Sequence, residues 1–311
     1  MGFETIRPGV TLETREHGPP GAAAPALVVW GHGLCNSLDG EDQERLWDFW
    51  NPRARPSGVV AATPDAHTSD RAPRVVRYAA RGHGASSPAS DPAECAWPAL
   101  GDDMLELARA LRRDASQRLV LGGASMGSAS ALFASLRANR ERSARRAASE
   151  TLDDEDEISG LVLVILPTFH ETRARRSGRI AAAVDRGFSA FAERGKKMRP
   201  IFEGTDRERE APPAVGVRAD SFEAVMRGSA ASDLPAAETI AEAVGDVPTL
   251  ALCWDCGDAT HPESSARAFA AAAKGARVHV AKTLEEVEKW PGMINAFVDE
   301  IVGKRGVGGN E

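Results

Sequence analysis

The chain has 311 residues, of which 42% are hydrophobic, and it carries a formal net charge of −7 at pH 7. That length suits one large domain, or a core domain with a smaller insertion, and the hydrophobic share is enough for a sizeable buried core. The acidic balance disfavours nucleic acid and anionic membrane surfaces as general partners.

The N-terminal stretch and the cysteines bear on the cellular compartment. MGFETIRPGVTLETREHGPPG lacks the apolar segment of a secretory signal, and no run of about 18 apolar residues could span a membrane. Four cysteines fit a reducing compartment, and we expect a cytoplasmic protein. Cys253 and Cys256 form a lone CxxC pair, which we interpret as packing rather than redox or metal chemistry. We therefore expect no metal and no cofactor.

Apolar segments alternate with segments of helical periodicity along most of the chain. The apolar segments predict buried strands at 25–33, 58–65, 74–84, 118–125, 158–167, 246–255 and 276–281. Apolar residues at helical spacing predict helices at 97–114 and 127–139. This alternation predicts an α/β fold, in which helices cover both faces of a mostly parallel central sheet.

The pattern changes between residues 167 and 245, where short amphipathic segments appear without a strand signal. We predict a helical cap at 167–245, inserted into a core made of 1–166 and 246–311, with an exposed loop at 206–213. The charged stretch at 138–158 is expected to form a helix extension and a loop. The large apolar side chains of the cap are expected to pack or to line a pocket: Phe188, Phe191, Phe202, Phe222 and Met226.

The pattern GASMG at 123–127 follows a predicted strand and precedes a predicted helix. It matches G-x-S-x-G, in which the serine lies on a tight turn and the glycines let the strand and helix approach closely. We predict that Ser125 is a nucleophile, and the alternative is an ordinary Gly/Ser-rich turn. The motif is not a phosphate loop, because no lysine follows Gly127.

The stretch WGHGLCNS at 30–37 ends an early predicted strand. Acyl transfer places negative charge on the carbonyl oxygen, so backbone N–H groups are needed opposite the nucleophile. We predict an oxyanion hole formed by the N–H groups of Leu34 and Met126. His32 is expected to shape this loop rather than to transfer protons.

A third motif, RGHGAS at 81–86, follows the predicted strand that begins at residue 74. The order and spacing of H-G-x-x-x-S, R-G-x-G-x-S and G-x-S-x-G resemble the α/β-hydrolase superfamily over most of the chain. Within it, segments such as PTFHETR and RGSAASDLP resemble a bacterial-type subgroup. The resemblance implies the α/β-hydrolase fold and an acid in the loop after strand 246–255. Asp258 fits by its position before Pro262, and Asp255 is the competitor.

The superfamily also implies a Gly-His pair after the final strand, but no histidine follows His279 in this chain. His261 lies three residues after Asp258, in a loop at the carboxyl edge of the predicted sheet, where ligands bind in open parallel sheets. We predict that His261 is the general base for Ser125, oriented by Asp258 or by another nearby acid. The alternative is that His261 only caps or packs the following helix.

Three other histidines belong to segments near the predicted site. His32 and His83 lie in the two glycine-rich loops, and His170 opens the cap. We predict that all three contribute to substrate binding, and His83 and His170 remain alternative bases. His279 lies inside a strand and is expected to belong to the core or to a sheet face.

These features predict a serine hydrolase that cleaves a small ester, lactone or related acyl compound through an acyl-enzyme. One alternative is a receptor-like protein that binds a ligand in a catalytically impaired site, which the missing C-terminal histidine favours. Another is a lyase or acyltransferase on the same scaffold. We expect a small-molecule acyl substrate and neither a nucleic-acid nor a membrane partner, and a homodimer remains an open alternative.

Overall fold

The computed structural model describes residues 1–19, 24–44, 46–50, 72–112, 114, 116–148, 157–195 and 215–303. The predicted strand 58–65, the predicted loop 206–213 and Phe202 lie outside these ranges.

One eight-stranded sheet organises the described chain, in the order β1-β2-β4-β3-β5-β6-β7-β8. From β4 to β8 in this order, neighbouring strands are parallel. Strand β2 is antiparallel to β4, and β1 is antiparallel to β2. The apolar runs become buried central strands because helices cover both faces, and this confirms the predicted fold class. The strands are β1 Gly2–Arg7, β2 Val10–His17, β3 Ala26–Gly31, β4 Arg74–Tyr78, β5 Arg118–Ala124, β6 Ile158–Val164, β7 Thr249–Trp254 and β8 Arg277–Ala281.

The N-terminal hairpin of β1 and β2 was not predicted from the sequence. Charged and polar residues alternate with apolar ones in these strands, so no continuous apolar run marks them. The turn between them uses Gly9 at φ 81°. Arg7 also forms a 2.6 Å ion pair with Asp103, which ties the hairpin to helix α2, Trp97–Leu111.

The helices form two layers on the sheet and a third group above it. Residues of α2, α3, α7 and α8 pack on one face, and α9, α10 and the segment 46–50 pack on the other. Among the described helices, none is long and apolar enough to cross a membrane. The bounds are α1 Leu38–Glu44, α2 Trp97–Leu111, α3 Met126–Ala147, α4 Glu171–Arg186, α5 Phe188–Gly195, α6 Phe222–Ala231, α7 Ala237–Val244, α8 Glu263–Ala272, α9 Leu284–Val287 and α10 Trp290–Gly303.

The predicted cap segment divides into two parts by its contacts. Helices α4, α5 and α6 share a separate apolar cluster, in which the rings of Phe188 and Phe191 pack against Phe222. Helix α7 instead packs on α3, and Ile240 and Val244 belong to the main core cluster. The group of helices above the sheet therefore ends before α7, because the apolar face of α7 completes the core layer.

Helix α3 continues through the first part of the charged stretch, as far as Ala147. Its polar face is joined to neighbouring helices by ion pairs, such as Arg137 with Glu106 at 2.8 Å and Arg140 with Glu242 at 2.9 Å. The remainder of that stretch, from 149 to 156, lies outside the described residues.

Candidate active site

Ser125 lies on the sharp turn between the end of β5 and the start of α3. Its backbone has φ 54° and ψ −110°, a conformation that L residues rarely adopt. The turn requires glycine on both sides, since a Cβ on Gly127 would lie 2.0 Å from the carbonyl oxygen of Gly31. A Cβ on Gly123 would lie 2.4 Å from the same oxygen. The predicted strand-turn-helix context of the motif is therefore present, and it holds Ser125 at the carboxyl edge of the sheet.

His261 and Asp258 lie together on the loop between β7 and α8. The Nε2 atom of His261 is 2.8 Å from the Oγ atom of Ser125, and its Nδ1 atom is 2.6 Å from Oδ2 of Asp258. The Thr260 N–H donates to Oδ1 of Asp258 at 2.7 Å, and the His261 N–H donates to the Asp258 carbonyl oxygen at 3.2 Å. These local bonds fold the loop so that acid, imidazole and hydroxyl form one hydrogen-bonded row.

The environment of Asp258 favours its ionised form. Burial opposes ionisation, but hydrogen bonds from His261 and Thr260 outweigh it and hold the pKa of Asp258 well below its usual range. The competitor Asp255 is exposed, and the acid bonded to His261 is Asp258. An ionised Asp258 can only accept a hydrogen bond, so it favours the His261 tautomer that carries its proton on Nδ1. The Nε2 atom of that tautomer is free to accept the proton of Ser125.

Trp254, the last residue of β7, packs beside the imidazole. Its ring centroid lies 6.0 Å from that of His261, in an edge-to-face arrangement. Trp254 also stacks on Trp290, with ring centroids 5.9 Å apart. Trp290 begins α10, so the segment after β8 supplies a buried indole to this region. The side chain of His261 is only 12% exposed, and this packing limits its rotation.

The loop after β3 also lies close to Ser125. A Cβ built on Gly33 would lie 3.6 Å from Cβ of Ser125. The Asn36 N–H donates to the carbonyl oxygen of Gly33 at 3.0 Å, which closes a turn over residues 33–36. Leu34 is the second residue of this turn, and the hydrogen bond that closes the turn does not involve the Leu34 N–H. Met126 is the first residue of α3, where N–H groups have no acceptor within the helix. Leu34 and Met126 stay the predicted oxyanion donors, since Leu34 follows Gly33, which lies close to Ser125, and Met126 directly follows Ser125.

His32 and His83, the other predicted substrate contacts, are both buried, and their ring nitrogens face backbone groups. Nε2 of His32 accepts from the Ala80 N–H at 3.0 Å, and its Nδ1 lies 2.7 Å from the Gly33 carbonyl oxygen. Nε2 of His83 accepts from the Cys35 N–H at 3.2 Å. Burial lowers the pKa of His32 to about 4 and that of His83 to about 3, so both rings are neutral.

His170 is exposed at the start of α4 and stays a predicted substrate contact. The carboxylate of Asp233 accepts its backbone N–H at 2.9 Å, and its Nε2 lies 3.2 Å from the Pro235 carbonyl oxygen. The preceding Thr168 N–H donates to the Thr260 carbonyl oxygen at 3.1 Å, so this segment runs beside the loop that carries His261.

The thiols of the CxxC pair do not have the depressed pKa values of reactive cysteines. Cys253 and Cys256 are free thiols, and burial raises the pKa of Cys253 to about 12 and also raises that of Cys256. In the part of the chain that the structure describes, no group of three or more histidine, cysteine or acidic side chains could hold a metal ion.

Sequence reasoning missed two residues that support the row of hydrogen bonds. Thr260 follows Asp258 at the spacing of an Asx turn, so this contact was available from the sequence. No sequence signal indicated that Trp254 contacts the site, because a tryptophan at the end of a buried strand is typical of the hydrophobic core.

Comparisons with known proteins place the fold in a well-populated class. No protein-family model and no curated sequence matches the chain. Among solved structures, it is similar to a hydrolase from Pseudomonas aeruginosa PA01, with 22% identity, a TM-score of 0.61 and coverage of 97% of this chain and 98% of that one. It is similar to a structure from a study of carboxylesterases of Nitrososphaera gargenis, with 14% identity, a TM-score of 0.65 and coverage of 97% and 100%. The enol-lactonase of Burkholderia xenovorans LB400 has 20% identity, a TM-score of 0.55 and coverage of 96% and 100%. The chain therefore has the fold of the α/β-hydrolase superfamily.

Proposed function

We propose that the chain is a serine hydrolase of small carboxylic esters, lactones or related acyl compounds. The observation that carries this proposal is the continuous hydrogen-bonded row from Ser125 through His261 to Asp258. A serine hydroxyl is a weak nucleophile until a base accepts its proton, and a base in turn needs an oriented tautomer. Both conditions are met by groups on the same edge of the sheet.

The reaction follows from these positions. The Oγ atom of Ser125 attacks the acyl carbon while Nε2 of His261 accepts its proton, and Asp258 stabilises the resulting imidazolium. The N–H groups of Leu34 and Met126 hold the oxyanion of the tetrahedral intermediate. His261 then protonates the leaving alcohol, and water, activated by the same imidazole, releases the acid from Ser125.

The nature of the solved neighbours supports a hydrolytic reaction over the alternatives. They include a hydrolase, a structure from a study of carboxylesterases and an enol-lactonase. The receptor alternative rested on the missing histidine after the last strand. It loses that support because an imidazole from another loop lies within hydrogen-bond distance of Ser125.

Steady-state turnover of p-nitrophenyl acetate and p-nitrophenyl hexanoate tests the proposal. We expect wild-type turnover, and a loss of about 10³-fold or more in kcat for Ser125→Ala and for His261→Ala. His279→Asn is the matched control, because His279 lies in β8 on the other side of β7 from β6. Turnover in His261→Ala equal to wild type would remove the assigned base, and wild-type activity that survives Ser125→Ala would remove the nucleophile.

A further inference from the structure

Two segments contact the loop Gly33–Asn36, the glycine-rich loop 82–84 and the segment 215–218, and the second of them belongs to the cap. The segment 215–218 leads into α6, and the Gly216 N–H donates to the Cys35 carbonyl oxygen at 2.9 Å. The Gly216 carbonyl oxygen accepts from the Gly84 N–H at 2.8 Å, and the Arg218 N–H donates to the Gly82 carbonyl oxygen at 2.9 Å. The cap segment is thus bonded to both glycine-rich loops at once.

His83 is bonded to the same loop through its side chain. Its Nε2 accepts from the Cys35 N–H at 3.2 Å, and its Nδ1 lies 3.1 Å from the Arg81 carbonyl oxygen. The ring is fully buried, so water does not compete for these bonds. Both the N–H and the carbonyl oxygen of Cys35 are therefore held by neighbours, His83 and Gly216. Cys35 has φ 60°, a conformation that persists only where the surroundings enforce it.

Gly216 makes the closest backbone approach in this region. A Cβ at this position would lie 1.9 Å from the Asn36 carbonyl oxygen and 2.7 Å from Cβ of Ser37. Since real Cβ atoms do not approach closer than 3.0 Å, any side chain would displace the loop or the cap segment by about 1 Å. The nearest atom belongs to the backbone, so the clash cannot be relieved by rotating a flexible side chain.

We propose that Gly216 and His83 are positioning residues that hold the N–H of Leu34 in the oxyanion hole, so that cap segment 215–218 forms part of the catalytic apparatus. The proposal rests on the proposed serine-hydrolase function for its effect on rate. An oxyanion donor acts only when it lies about 2.7–3.1 Å from the developing charge, so a shift of about 1 Å removes most of its effect.

Gly216→Ala tests this coupling, with Gly178→Ala as the matched control. Gly178 also lies in the cap, in α4, but a Cβ there meets nothing within 4 Å. We expect Gly216→Ala to lower kcat for p-nitrophenyl acetate about 100-fold with little change in KM, because the oxyanion forms only in the transition state. Gly178→Ala is expected to keep wild-type kcat. Equal kcat in the two variants would overturn the proposal.

A second pair of variants separates positioning by His83 from its packing. His83→Gln retains an acceptor for the Cys35 N–H, whereas His83→Leu fills the space without one. We expect His83→Gln to recover at least tenfold in kcat over His83→Leu at similar KM. Similar losses in both variants would show that only the packing matters and would exclude His83 as a positioning residue.

Hydrogen exchange gives a readout that does not depend on catalysis. We expect the amides of residues 33–37 to exchange at least tenfold faster in Gly216→Ala than in Gly178→Ala. Unchanged exchange would contradict the coupling itself. If exchange rises while the wild type shows no Ser125-dependent turnover, the positioning stands and the proposed hydrolase function fails. If the wild type turns over ester and Gly216→Ala is unaffected, only the positioning fails.

Discussion

Replacing Asp258 by asparagine tests the orientation of His261 through a single atom. In the native loop, Oδ1 of Asp258 accepts from the Thr260 N–H at 2.7 Å, and Oδ2 faces Nδ1 of His261 at 2.6 Å. In Asp258→Asn, the amide oxygen must remain with Thr260, so the NH₂ group points at Nδ1. That nitrogen must then act as an acceptor, which moves the ring proton to Nε2, the atom that faces Ser125.

A His261 protonated on Nε2 cannot accept the proton of Ser125, so the effect on rate is large. We expect kcat to fall about 10⁴-fold, which corresponds to about 5.5 kcal/mol of lost transition-state stabilisation. The assay is steady-state hydrolysis of p-nitrophenyl acetate at pH 7.5, with circular dichroism to verify the fold. The matched control is Asp255→Asn, the same substitution at an exposed position of the same loop. Near wild-type kcat in Asp258→Asn, or an equal loss in both variants, would refute the assignment.

Stability provides an independent check on the same substitution. The pKa of Asp258 is depressed in the folded protein, so its ionised form stabilises the fold above its ordinary pKa of 3.8, and this stabilisation is lost as pH falls. We therefore expect Asp258→Asn to be less stable than wild type at pH 7, with the difference closing below about pH 4.

Two further substitutions test the turn at Ser125 and the buried histidines. Ser125→Gly is expected to be about 1 kcal/mol more stable than Ser125→Ala in urea unfolding, because glycine adopts φ 54° without strain; equal stability would contradict a strained turn. The pKa of His83 is lowered to about 3 in the folded protein, compared with 6.5 for an unperturbed histidine. As pH drops below 6.5, this histidine is therefore protonated in the unfolded chain but not in the folded one, and the free energy of unfolding falls. His83→Gln is expected to flatten this loss by up to about 1.4 kcal/mol per pH unit between pH 6.5 and 4.5, and an unchanged slope would be inconsistent with a neutral buried ring.

The core of the fold was predictable because its physical signals are local. Continuous apolar runs mark β3, β5, β6 and β7, which are buried on both faces, and the helix after Ser125 follows from apolar periodicity. The hairpin of β1 and β2 was not predicted, because an antiparallel edge structure with mixed polarity has no such run. The position of α7 was also missed, since its sequence shows an apolar face but not which layer that face covers.

The acid and the imidazole could be predicted because they lie on one loop. Asp258 and His261 are three residues apart, so the loop fold itself brings their side chains together, and only Ser125 comes from a distant segment. The burial of His32 and His83 could not be predicted, for the opposite reason. A histidine beside glycines in a loop is typical of a functional site. Its burial and its backbone partners, however, depend on segments far away in sequence, such as those of Ala80 and Cys35.

The covalent labelling of Ser125 by a fluorophosphonate measures most directly whether His261 activates this hydroxyl. Peptide mass mapping identifies the labelled residue, and the time course at pH 7.5 gives the rate. We expect one adduct, on Ser125, which forms at least 10³-fold more slowly in His261→Ala than in wild type. No adduct in the wild type, an adduct on another residue, or an unchanged labelling rate in His261→Ala would contradict the activation of Ser125 from the acid's own loop.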